Sequence, residues 1–282
     1  MILGLLGCSM SSPSTLVDEL RVMAIQTEPA EISPFDQNTK LRLLIAEPQS
    51  RNIDVMYWTC TNLGDGCLEA EIYAQDLTQW PQIFTRTELL TERDISLPPA
   101  LGGVIDSLPL DAIPFYGTVL WVFACVQDEC LFIEEGKEGR IDLEAMSNPF
   151  DVIGSLPFGV SSLAFSSIPI SNRVFEERIQ NPQLTVLSPQ ERIQETDQTL
   201  ELTFSYSLRA EPNEDSLIYG YTTIGGFEEA TRSNAQLQQE EGEVVLSWFA
   251  PDIEGVGEAY VILENGQGGT AIWYGDVEVK SP

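Results

Sequence analysis

Five cysteines and no histidine define the chemistry open to this 282-residue chain. Without imidazole, Ser-His-Asp and Cys-His catalysis and nearly all zinc hydrolase designs are excluded. Cys60 and Cys67 are spaced C-x6-C, and Cys125 and Cys130 are spaced C-x4-C. Structural zinc calls for tighter pairs of the C-x2-C kind. The four therefore read as two disulfides, which places the chain in an oxidising compartment. Three connectivities are open to four cysteines. Thr61-Asn62-Leu63-Gly64-Asp65-Gly66 and Val126-Gln127-Asp128-Glu129 look like loops pinned by the local bridges Cys60–Cys67 and Cys125–Cys130. Cross-pairing between the two segments stays open.

Carboxylates are the other abundant reactive group. The chain has 44 acidic and 14 basic residues, a net charge of −30. The excess is −16 over residues 9–171 and −14 over residues 172–282, so it is a property of the whole surface and not an acidic tail. Such a field repels phosphate backbones, which excludes nucleic acid as a partner. Glycan hydrolysis by two carboxylates and a calcium-dependent adhesin are the rival function classes. Among so many acids no catalytic pair stands out, and no D-x-[DN]-x-[DN]-G loop exists. Asp65 beside Gly66, and the group Glu211, Glu214 and Asp215, are the compact oxygen clusters. Walker, dinucleotide and G-x-S-x-G signatures are missing as well. The expectation is a binding protein without catalytic residues, metal or cofactor, whose ligand is an unidentified protein or glycan. Trp58, Trp121 and Trp248 lie in alternating runs and read as core. Trp80 before Pro81, and Trp273 beside Tyr274, are the candidates for a binding surface.

Leu5-Leu6-Gly7-Cys8, followed by the polar Ser9-Met10-Ser11-Ser12-Pro13-Ser14, resembles a bacterial lipobox. Only Met1 to Gly7 precede the cysteine, shorter than an ordinary signal peptide and without its basic flank. The resemblance implies a truncated signal, a lipidated Cys8 and a lipid-anchored protein of the outer membrane or cell surface. Ser9 in the next position is similar to lipoproteins sent to the outer membrane. After Cys8 no run approaches the roughly 18 apolar residues of a spanning helix, so the lipid is the expected membrane contact.

The rest of the chain must position any binding surface. Short apolar or alternating runs bounded by Gly, Pro, Asn and Asp predict strands at 20–25, 40–46, 53–60, 67–73, 117–126, 131–133 and 162–168. The 131–133 run is the expected partner of 117–126. Short helices are expected at 87–93 and 140–146. Further strands are expected at 185–187, 199–208, 217–223, 243–250, 258–263 and 270–279, a density that indicates a β-sandwich. The predicted class is all-β, two tandem Ig-like β-sandwiches, the first irregular with short helical insertions. Its parts are a signal and tether over 1–17, a first domain over 18–171, a linker over 172–182 and a second domain over 183–282. Phe249-Ala250-Pro251, Asp252, Gly255, Tyr260-Val261-Ile262-Leu263 and Gly268-Gly269 resemble the end of a bacterial Ig-like or PKD-like domain. The stretch from Ser14 to Val22, with Pro29 and Pro34 after it, is similar to uncharacterised deltaproteobacterial surface lipoproteins. That resemblance implies an exported Ig-like architecture and carries over no catalytic residue.

Overall fold

In the computed structural model the runs of alternating hydrophobicity become strands, and the fold is all-β. The structure describes residues 16–33, 36, 38–49, 51–62, 73–75, 90–96, 117–126, 129, 131–134, 137–140, 159–171, 173–189, 192–228, 231–232 and 237–281. The first half contains β1 (Arg21–Glu28), β2 (Asn38–Ala46), β3 (Ile53–Asn62), β4 (Tyr73–Gln75), β5 (Leu90–Ser96), β6 (Gly117–Val126), β7 (Leu131–Glu134), β8 (Lys137–Arg140) and β9 (Ser161–Pro169). One sheet runs β1-β2-β5 and the facing sheet β4-β3-β6-β9. This partition, with sequence neighbours split between sheets, is the Greek-key order of an Ig-like sandwich.

The second half contains β10 (Gln183–Ser188), β11 (Ile193–Glu195), β12 (Thr199–Ser207), β13 (Ser216–Thr222), β14 (Gly226–Phe227), β15 (Thr231–Arg232), β16 (Glu241–Phe249), β17 (Gly255–Asn265) and β18 (Thr270–Lys280). Its sheets run β10-β12-β16-β14 and β11-β18-β17-β13-β15. β10 pairs antiparallel with β12, and β11 then crosses to the other sheet to run parallel with β18. The arrangement is again Ig-like. Val244, Leu246 and Trp248 face its core together with Phe204, Val261 and Leu263, as the period of two requires.

Two sequence expectations are corrected. Residues 90–96 form β5, in register with β2, where the short helix at 87–93 was expected. Thr91 and Ile95 are β-formers, and pairing with β2 outweighs the weak helical pattern. The partners of β6 are β3 and β9, not the 131–133 run, which instead forms a hairpin with β8.

The two sandwiches pack face against face. Val17, Ala24, Leu44 and Ala46 meet Tyr260 and Ile262 in one buried cluster, flanked by Met23, Tyr219, Tyr221 and Ile272. This explains why β2 loses its alternation after Arg42. Leu43 and Ile45 point into the first core, and Leu44 and Ala46 point at the second sandwich. Full burial of a side chain such as Leu44 contributes about 1.5–3 kcal/mol. The segment between the sandwiches is fixed as well. Glu31 is fully buried and accepts hydrogen bonds from Ser171 Oγ and from the Ile179 N–H, the latter at 2.8 Å. Asn181 donates to the carbonyl of Thr27 at 2.7 Å and accepts from the Thr270 N–H at 3.0 Å. Within the 172–182 segment, Ile179 and Asn181 thus bond to residues of both halves.

Candidate functional site

These contacts give the body two ends. At one end the first strand starts, with Arg21 opposite Ala46, and Leu16 bridges to Thr222. At the other end Thr27 and Asn181 meet the turn between β17 and β18. The first end carries a long insertion. Between β6 and β9, which are hydrogen-bonded neighbours, the chain inserts residues 127–160, including the β7–β8 hairpin. In Ig-like folds the loop at this position lies beside the one between the second and third strands.

Arg51 belongs to that second loop, and it clips the insertion at both roots. Its backbone N–H and guanidinium hold Glu47, at 2.7 Å to Oε2 and at 2.9 and 2.6 Å to Oε1. With Glu47 so held, Nη1 lies 3.7 Å from Glu129 Oε1, just after β6. Nη2 donates to the Gly159 carbonyl at 3.5 Å, just before β9. Gly159 has φ +78°, a left-handed conformation that glycine adopts without strain, and a Cβ there would meet the Glu19 carboxylate at 3.5 Å. Val22 N–H donates to Ser162 Oγ at 2.9 Å. The approach from Leu16 to β1 therefore runs alongside the insertion's return strand. Rigid roots under a long insertion are how such sandwiches present a recognition loop.

The residues expected to form a binding surface do not gather at this end. Trp273 is turned inward, stacked edge-on against Phe204 at 5.1 Å and covered by the Arg192 guanidinium at 5.0 Å. Its ring is half-buried and packs against the second core. Tyr274, on the opposite face, is exposed. Trp80, Cys8, Cys67 and Cys130 lie outside the described residues. Cys60 lies in β3 opposite Val119, and Cys125 is buried in β6 at the root of the insertion. Trp121, Phe123 and Cys125 share one face of β6, and it is not the face that points into the first core, which Leu120, Val122, Ala124 and Val126 fill. Glu211, Glu214 and Asp215 are exposed in one loop, and among the described residues no group of three is placed to hold a metal ion.

A half-buried acid lies instead in the seam between the sandwiches. Glu264 accepts a hydrogen bond from Tyr219 Oη at 3.1 Å. Desolvation raises the pKa of Glu264, and Tyr219 and Tyr221 are also raised, chiefly by burial.

No protein-family model and no curated protein match this chain. Among solved structures, red sea bream transglutaminase aligns with 94% of the chain and 32% of its own length, at 11% identity and a TM-score of 0.29. The D0–D1 domain of intimin aligns with 92% of this chain and 99% of its own, at 8% identity and a TM-score of 0.26. The Yersinia pseudotuberculosis adhesin InvE aligns with 91% and 58%, at 9% identity and a TM-score of 0.25. The chain spans about a third of the transglutaminase. The Ig-like assignment rests on the strand order and not on these likenesses.

Proposed function

We propose that this chain is an extracytoplasmic lipoprotein, anchored at Cys8 to the outer membrane or cell surface, that binds a protein or glycan and performs no catalysis. The observation that carries the binding reading is the Arg51 clip, which holds both roots of the β6–β9 insertion. The lipobox-like Leu-Leu-Gly-Cys run supports the anchorage, as does the similarity to surface lipoproteins. Two disulfides, Cys60–Cys67 and Cys125–Cys130, fit an exported chain of this kind.

Seven residues lie between Cys8 and Leu16, so eight chain steps give a reach of at most about 28 Å. Leu16 enters at the insertion end of the body. Anchorage at Cys8 therefore keeps the insertion near its own membrane, which favours a role as a binding or scaffold module in the envelope. A single acyl chain anchors only marginally, so the lipid is expected to carry several. Cys8→Ala should move the protein from the membrane fraction to the soluble fraction and abolish incorporation of labelled fatty acid. Unchanged membrane retention would contradict the anchorage.

A further inference from the structure

The end of the body away from Leu16 carries a second feature. Val174 and Phe175 are 58% and 61% exposed, and among the described residues they are the one pair of exposed large apolar side chains adjacent in sequence. Scattered exposed apolar residues are ordinary. This pair is different because the structure beneath it is fixed. Phe175 begins a 3-10 turn that ends at Glu177. Arg178 lies over the Phe175 ring, 5.9 Å from its centroid. The same guanidinium donates to the Arg173 carbonyl at 3.1 Å and pairs with Asp36 at 3.4 Å. Arg173 in turn pairs with the buried Glu31 at 3.5 Å. The turn is thus held on both sides by groups bonded to Glu31, and little freedom is left to lose on binding.

We propose that Val174 and Phe175 form a docking knob for an extracytoplasmic protein that offers an apolar pocket with a basic rim. The pocket follows from the pair itself, since apolar side chains held rigid in advance gain from desolvation and lose little freedom on binding. The basic rim follows from Glu176 and Glu177, both exposed beside the knob, and from the net charge of −30. Placement away from the bilayer rests on the anchorage proposed above. β1 alone separates this end from the insertion end by roughly 25 Å. The compartment of the partner rests on the same reading, whereas the geometry of the knob does not.

The test uses the full chain in its native cells, with photo-crosslinking benzoylphenylalanine replacing Phe175. A control replaces Ile253, which is 62% exposed. The expected result is a discrete protein adduct from position 175 that is absent from position 253. Val174→Asp in the same chain should reduce it at least tenfold, and raised salt should weaken it. Adducts to phospholipid or to a second copy of the chain would overturn the proposal. So would the same adduct from both positions, or no adduct at all. Fractionation of the same cells reads the anchorage separately.

Discussion

Arg51 stands 3.7 Å from Glu129, a residue 78 positions later in the chain, and the contact joins the loop before β3 to the start of the β6–β9 insertion. Arg51 is held in turn by Glu47, which is buried. Charge-assisted bonds of this kind contribute about 1.5–3 kcal/mol. Most of that belongs to the Arg51–Glu47 pair, because Glu129 is exposed and its share is screened.

Arg51→Gln is therefore expected to leave both sandwich cores folded while releasing the roots of the insertion. Hydrogen exchange at residues 131–140 should rise at least tenfold, with exchange in β12 and β17 unchanged. Equal exchange in the variant and the parent would show that Arg51 does not position the insertion.

The strand register narrows the disulfides. Cys60 faces Val119, six residues before Cys125 on β6. At about 3.3 Å per residue the two levels lie roughly 20 Å apart, well beyond the spacing a disulfide spans. Cys130 directly follows Glu129, whose N–H bonds the Val126 carbonyl at 3.1 Å, so the chain length holds it to the Cys125 end. Non-reducing peptide mapping should recover Cys60–Cys67 and Cys125–Cys130. A peptide joining Cys60 to Cys125 or Cys130 would contradict the register.

The half-buried Glu264 gives the seam a pH dependence of defined sign. Its folded pKa is raised above the ordinary value of 4.5, so the native state binds the proton more tightly than the unfolded state does. The contribution is fully present below the unfolded pKa and is lost as pH rises through the folded pKa. Glu264→Gln keeps an acceptor for Tyr219 and removes the charge. Its stability relative to the parent should rise as pH increases above 4.5, with little difference in strong acid. Chemical denaturation from pH 4 to 8 measures this, and a parallel pair of curves would refute the assignment.

Much of the second sandwich is legible from sequence because its strands alternate cleanly. In β12 and β16, Leu202, Phe204, Val244, Leu246 and Trp248 occupy every second position of a sheet with one buried face. The first half is harder to read because its strands break that rule. All of Val119–Val126 is buried, so alternation cannot tell which face of β6 meets the core. The same cause hides the seam. Tyr260-Val261-Ile262-Leu263 reads as one apolar strand, although Val261 and Leu263 belong to one core and Tyr260 and Ile262 to another. The Arg51 clip has no local signal, since Arg51, Glu129 and Gly159 meet only through topology. Adjacency of Trp273 to the exposed Tyr274 says nothing about the face each occupies, because neighbours on a strand point oppositely.

The binding reading is tested most directly at the hairpin. The measurement is capture of envelope components by the lipidated full chain, compared with a variant in which residues 131–140 are replaced by a Gly-Ser linker of equal length. Thermal unfolding should show both proteins folded. The account predicts a component held by the parent and lost at least tenfold from the variant. Capture of the same component in equal amount by both would contradict recognition through the insertion.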